Sequence, residues 1–317
     1  MEKRNIFFNE SIHKYTDNMG NPYISTTTLI SNYYEKFKAE EIAKACEAIG
    51  RNPKHPKYLK YKNKSKKQLL YEWEQTKTIA CEKGTNKHNY LEQAVRSSTG
   101  YKLIDSQFIN DRIYTLDDVI GDRKIGLLNL EYFESIGLKE KYPIIFNTIY
   151  KLTQLGYLIY AEIGVYDSVN LVSGLVDIIL IKNNDFIILD WKTNSAPIMF
   201  ESGYFNKDNN GNLTSDFIYK QEYFSNPISY LSASTGHKYS LQLSGYANMA
   251  ELFGFKYKGS ILCHIRTLKQ GIINSINNVE NEEVKLIEVL DLRNDFQKIK
   301  EHNFNLHHFE EPSYTLF

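Results

Sequence analysis

The chain has 317 residues, 42% of them hydrophobic, and its 38 basic side chains balance 38 acidic ones. That is enough to bury the core of one large domain, or of a domain with a modest appendage. Neutrality excludes a protein that holds nucleic acid by overall charge and leaves a local basic patch as the electrostatic route. No apolar run approaches the ~20 residues of a membrane span, and no long apolar stretch follows the basic residues at the N-terminus. Three widely spaced cysteines, Cys46, Cys81 and Cys263, suit a reducing compartment and exclude a four-cysteine iron–sulfur cluster from this chain. The expectation is a cytoplasmic protein without membrane contact.

Residues 5–26 read as a hairpin: Ile6, Phe7 and Phe8, then His13, Lys14 and Tyr15, a turn from Asp17 to Pro22, and Tyr23, Ile24 and Ser25. Thr27 or Thr28 is placed to cap a helix through Leu29, Tyr33 and Phe37, and a second helix over 39–49 should stop at Gly50. Residues 51–67 hold eight Lys or Arg and no acid. A long helix over about 67–96 follows, with Leu69, Leu70, Trp73, Ile79, Ala80, Leu91 and Val95 as its apolar side. Residues 97–139 carry little signal, and Tyr142, Ile145, Ile149, Leu152 and Leu155 mark a helix over 140–155. The period then switches, and 157–167, 174–182 and 185–192 read as three strands of a meander. A polar, aromatic insertion at 193–238, long enough to suggest function, precedes a helix at about 239–253 and a strand at 257–267. The segment 280–300 reads as an amphipathic helix. Three regions result: 1–67 with the hairpin, helices and basic segment, a core over 68–275, and a C-terminal helical segment over 276–317.

The meander carries the chemistry. If Asn183 and Asn184 form a two-residue turn, Lys182 faces Asp185 and the register is fixed. Asp177 then lies opposite Asp190 as a non-hydrogen-bonded pair, with Cα atoms roughly 4.5 Å apart. Both carboxylates leave one face, which Lys192 shares. Opposed like charges destabilise a sheet unless compensated, and paired carboxylates that leave room for water suit Mg²⁺. Lys192 would orient or help deprotonate the attacking water and stabilise charge on a phosphate. Asp-x-Lys alone is a common surface ion pair, but that reading leaves two strand-borne acids in register unexplained. Glu162 falls opposite Asp177 if the first turn centres on Val169 and Asn170. There it is either a third acid of the site or an exposed strand residue, and the residues alone leave both open.

Gly-x-x-Asp from Gly174 to Asp177, followed by Asp-x-Lys from Asp190 to Lys192, resembles the PD-(D/E)XK nuclease superfamily. The G-x-x-x-H run from Gly84 to His88 and the Q-x-x-x-Y run from Gln242 to Tyr246 narrow the resemblance to the RecB-type branch. The order helix, three strands, helix is similar over roughly residues 73–267. The runs Trp73 to Glu92, Pro227 to Leu231 and Tyr239 to Leu243 are similar to phage-encoded and mitochondrial genome-maintenance exonucleases. Val176 stands in place of the eponymous proline, and Asp190 fills the third acidic position.

The resemblance implies an α/β, restriction-endonuclease-like core: a central mixed sheet that starts with an antiparallel meander and is flanked by helices. It implies a metal-dependent DNA exonuclease of phage-type recombination, replication or repair, with single-stranded DNA favoured. A structure-specific endonuclease and a non-catalytic DNA-binding module are the alternatives. The implied metal is Mg²⁺ or Mn²⁺, without an iron–sulfur cluster, held by His88, Asp177, Asp190 and the Trp191 carbonyl. Gly84 ahead of His88 and Glu92 one turn after it favour a ligand over a structural histidine. Lys192 would act on the attacking water, with Glu162 beside the acids. Gln242 and Tyr246, one turn apart, would position the scissile strand or brace the carboxylates. Lys54, Lys57, Lys60, Lys62 and Lys64, interleaved with Tyr58 and Tyr61, offer cations for phosphates and rings for bases, with stacking worth ~1–3 kcal/mol per base. A solvated linker is the plainer reading of that run. The expected partners are DNA, as single strands or ends, and a recombination or replication protein.

Overall fold

The computed structural model describes residues 3–9, 11–12, 14–100, 111–207, 213–268 and 281–308. Residues 1, 2 and 10, His13 and residues 101–110, 208–212, 269–280 and 309–317 lie outside the described residues. Two compact units emerge: Glu35–His88, and Met1–Tyr34 together with Asn89–Phe317.

The chain opens with β1 (Ile6–Asn9), β2 (Lys14–Asp17) and β3 (Pro22–Ser25), three short antiparallel strands where a hairpin was expected. Ser25 then caps α1 (Thr26–Ser31) by accepting the Thr28 N–H, two positions before the nearer of the expected threonines. The smaller unit holds α2 (Ala39–Ile49), α3 (Tyr58–Tyr61) and the first part of α4 (Lys66–Ser97). Gly50 ends α2 as predicted, and a Cβ there would strike the Tyr61 carbonyl. Ala43, Cys46 and Leu69 form this unit's core, with Tyr61, Leu70 and Trp73 against it.

In the larger unit come α5 (Leu116–Gly121), α6 (Leu130–Ser135), α7 (Leu138–Lys141) and α8 (Pro143–Gln154), the last opened by a proline at its first turn. The meander follows as β4 (Leu158–Asp167), β5 (Val172–Lys182) and β6 (Asp185–Lys192). A separate antiparallel ribbon, β7 (Gly203–Lys207) and β8 (Leu213–Tyr219), occupies the insertion. Then come α9 (Thr235–Glu251), β9 (Lys256–Leu268), β10 (Asn281–Glu288) and α10 (Arg293–His308). The single helix expected over 280–300 is therefore a strand followed by a helix. Val284 and Ile287, with Val289 just past the strand's end, imitate helical spacing across an edge strand that pairs antiparallel with β9 along its length. The C-terminal segment is thus part of the main sheet.

The architecture is α/β, with a mixed sheet ordered β1-β2-β3-β5-β6-β9-β10 and β4 added on β5. β3 with β5 and β6 with β9 are parallel, and the other pairs are antiparallel. One face of the sheet, with Val165, Ile179 and Ile188, is covered by Leu29, Val119, Leu241, Ala247, Phe296 and Ile299. The other, with Ile159, Ile178, Leu189 and Trp191, is covered by Val95, Phe133, Leu138, Phe146 and Ile149. Both faces being dry explains the near-continuous apolar runs of β5 and β6. Among the described residues no helix is long and apolar enough to cross a membrane.

A buried ion pair ties three elements together. The Lys300 ammonium donates to Asp167 Oδ2 at 2.6 Å and to Asn248 Oδ1 at 2.8 Å, and Asp167 also accepts the N–H groups of Val169 and Asn170. Burial opposes the Asp167 carboxylate, but Lys300 and Asn170 outweigh it and hold its carboxyl below the ordinary 3.8. Lys300→Met, which strands the acid, should cost about 3 kcal/mol in urea unfolding, and adding Asp167→Asn should restore part of it. A depressed carboxyl stabilises above its unfolded value, so the wild-type advantage over Asp167→Asn should hold at neutral pH and vanish as the pH falls through the lower folded value. A pH-independent difference would contradict this.

Candidate active site

The β5–β6 register is the expected one. Asn183, at φ +55°, turns the chain, and pairing runs from Lys182–Asp185 to Ile178–Leu189. The next pair would be Asp177 with Asp190, and there the ladder stops. On the other edge, β4 pairs with β5 from Leu158–Ile181 to Ala161–Ile178 and again from Ile163–Val176 to Asp167–Val172. The omitted pair is Glu162 with Asp177, and Glu162 sits at φ +54°, a conformation that costs any residue with a Cβ. Both ladders therefore open at Asp177.

The break reverses the pleat. Ile159 and Ala161 belong to one core layer, Ile163 and Val165 to the other. β5 turns over at the same row, with Ile178 and Leu180 in one layer and Val176 in the other. Because the two strands switch together, their register survives.

β3 and β6 share one edge of β5, since β4 occupies the other. β3 pairs with Val172 and Ser173, and β6 with Ile178 onward, so residues 174–177 lie between them. The carboxyl ends of β3 and β6 both run into this fork, the kind of place where open α/β sheets bind ligands. Gly174 lines it because a Cβ would collide with the Tyr246 ring and come within 2.9 Å of the Thr26 hydroxyl. Asp177 Oδ2 accepts the Trp191 N–H at 2.8 Å, replacing the ladder bond. The N–H and C=O of one strand residue face the same edge, so the Trp191 carbonyl also faces the fork.

Asp190 is 1% exposed and pairs with Lys192, 14% exposed, at 2.5 Å. Burial alone would lower the Lys192 pKa, but Asp190 and Asp177 outweigh it and hold the ammonium above its ordinary value. Lys192 is thus held as an ammonium beside the two acids. Burial and Glu92 push the Asp177 carboxyl up, against Lys192 and the Trp191 N–H. Glu92, on α4 and paired with Arg96 at 2.5 Å, is a further acid of the site that sequence reading used only as a marker for His88. Gln242 Nε2 donates to the Tyr246 hydroxyl at 2.9 Å. Burial, then Asp190, raises that phenol far up, so it stays protonated. Burial and then Glu162 likewise raise Tyr15 of β2.

Sequence reading missed the wall beyond Lys192. His264, its parallel partner on β9, is buried, and its Nε2–H donates to the Asn194 carbonyl at 2.8 Å. Burial lowers its pKa and keeps the ring neutral. Arg266 Nε donates to the Ser195 carbonyl at 2.9 Å. Two polar residues at alternate positions of a strand beside Lys192 were the available signal.

The structure thus brings together Asp177, Asp190, Lys192, Gln242, Tyr246 and the Trp191 carbonyl, with Glu162 at the row of β4 opposite Asp177. His88 is the last residue of the smaller unit, half-buried on α4. In that unit Lys54, Lys57, Lys60 and Lys62 are exposed, with Lys60 and Lys62 near the rings of Tyr61 and Tyr58 at 5.4 and 5.8 Å. Two expected DNA-binding residues are otherwise engaged. Tyr61, half-buried, packs against the unit's core, where burial and Cys46 push its phenol up to about 12. Lys64 is paired with Glu72 at 2.6 Å.

Among the described residues no group of three or more His, Cys, Asp or Glu is placed to hold a metal ion. The donor chemistry of the fork, oxygen atoms from Asp177, Asp190 and the Trp191 carbonyl, nevertheless fits a hard divalent cation. No family model matches the chain, and no curated protein or solved structure is significantly similar to it.

If Glu162 is held in the left-handed region, Glu162→Gly should be more stable than Glu162→Ala by about 1 kcal/mol in urea unfolding. Equal stabilities would show that this backbone conformation is not imposed.

Proposed function

We propose that the protein is a metal-dependent DNA exonuclease of the PD-(D/E)XK type, RecB-like, that hydrolyses phosphodiester bonds at the acid row and favours single-stranded DNA. Its setting would be phage-type recombination, replication or repair in the cytoplasm. The observation that carries this reading is the opening of both ladders at Asp177. A sheet that only had to be stable would close there, whereas this one keeps acids from adjacent strands at a fork, with a left-handed Glu162 beside them.

Asp177, Asp190 and the Trp191 carbonyl would hold Mg²⁺ or Mn²⁺, with His88 added by the family resemblance. Such an ion, when bound, supplies a water of lowered pKa and positive charge for the phosphate oxygens. The chain's own residues do the rest. Lys192, fixed as an ammonium, donates to a non-bridging phosphate oxygen and stabilises the charge that grows there. Tyr246, kept neutral and held by Gln242, braces the fork against Gly174 and stays a hydrogen-bond donor. His264 and Arg266 fix the backbone that follows Lys192, so the ammonium keeps its place. Hydrolysis breaks one P–O ester bond and leaves a phosphate monoester and a hydroxyl end.

The test is cleavage of linear and circular DNA, single-stranded and duplex, with Mg²⁺ or Mn²⁺. Linear single strands should be degraded and circles spared, with Asp190→Ala and Lys192→Ala each slowing the reaction by at least about 100-fold. Cutting of circles would make it an endonuclease. Folded wild type that cleaves nothing would contradict the proposal, and retained DNA binding in that case would mark a non-catalytic module.

A further inference from the structure

Next to the fork a second cation lies on an aromatic floor. Lys192 Nζ is 4.9 Å from the centre of the Tyr239 ring, and Lys238 Nζ is 3.7 Å from that of Tyr34. Tyr239 neighbours both groups: burial chiefly raises its phenol, Lys192 opposes this, and Asp190 and Tyr34 add to it. Its hydroxyl is held by Asn194 Oδ1 at 3.3 Å, and Tyr34 is braced edge-on by Phe224 at 5.8 Å. Tyr34, Lys238 and Tyr239 are all half-buried, so each keeps some accessible surface.

Lys238 is the unusual member. Among the described residues it has no carboxylate within ion-pair distance. The acid that acts on it, Glu222, is paired with Lys220 at 2.9 Å. Burial draws the Lys238 pKa below its ordinary value, with Glu222 opposing. A half-buried ammonium compensated mainly by a ring face is one that an anion would complete. From Asp190 outward the order is cation, ring, ring, cation: Lys192, Tyr239, Tyr34, Lys238. That is the arrangement a single strand needs, phosphates on the ammonium groups and unpaired bases against the rings.

We propose that Tyr34, Lys238 and Tyr239 form a subsite for the single-stranded segment beside the cleaved phosphodiester, with Lys238 on a neighbouring phosphate and the tyrosines against its base. The proposal rests on the nuclease reading and specifies its substrate as a strand with unpaired bases.

The experiment is fluorescence anisotropy in EDTA with labelled oligo(dT) of about 15 nucleotides, an abasic strand of equal length and a blunt duplex. Lys238→Gln should melt like wild type yet bind oligo(dT) roughly fivefold more weakly at about 0.1 M salt, with a salt slope smaller by about 0.7; Lys238→Arg should retain both. Tyr34→Leu should lose affinity for oligo(dT) and not for the abasic strand; if that variant fails to fold, the Lys238 pair decides. Wild-type affinity and slope in Lys238→Gln would overturn the subsite while leaving cleavage, and so the nuclease reading, intact. A wild type that binds none of the three and cleaves no DNA would overturn the nuclease reading and this subsite with it.

Discussion

Carboxylates on adjacent strands repel, and this sheet accommodates them by opening. At the row of Glu162, Asp177 and Asp190 neither ladder closes, the pleat reverses in β4 and β5 together, and Asp177 takes a backbone N–H from β6 in place of strand pairing. Most of the larger unit's special positions follow. The left-handed Glu162 is what turns β4 over. Gly174 is bare because a Cβ there would strike the Tyr246 ring. The strain is kept at the row beside Asp177, Asp190 and the Lys192 ammonium, and helices on both faces hold it in place.

Charge in the fork is arranged rather than neutralised. Asp190 and Asp177 keep Lys192 protonated, while burial and Glu92 keep Asp177 reluctant to ionise. The site therefore carries an ammonium already in position for a phosphate and carboxylates that a dication would relieve. Hydrogen bonds from β9 to Asn194 and Ser195 extend the rigidity of the sheet past the end of β6, so that Lys192 is held from both sides. The ammonium of Lys238 continues the positive charge along α9, away from the acids.

Much of this was legible from local chemistry. Asn183 and Asn184 set the β5–β6 register, and the turn near Val169 and Asn170 set that of β4 and β5, because a short turn leaves one pairing that keeps apolar residues inside. Gly50 marked the end of α2. What escaped depends on contacts distant in sequence. The parallel docking of β3 on β5 joins residues almost 150 apart, and no periodicity reports it. β10 was hidden because an edge strand with charged outward positions and a following helix share one apolar spacing. Tyr61 looked like a stacking ring because its neighbours are cationic, and only the packing of α2 against α4 shows that it also leans on the smaller unit's core. His264 and Glu92 matter through what lies across from them, which the sequence does not display.

The most direct test of the fork as a cation site is calorimetric titration of Mn²⁺ into the metal-free protein. Wild type should bind the ion, and Asp177→Asn and Asp190→Asn should each weaken binding at least about tenfold while remaining folded. A wild type that binds no Mn²⁺, or variants that bind it as tightly as wild type, would contradict the account.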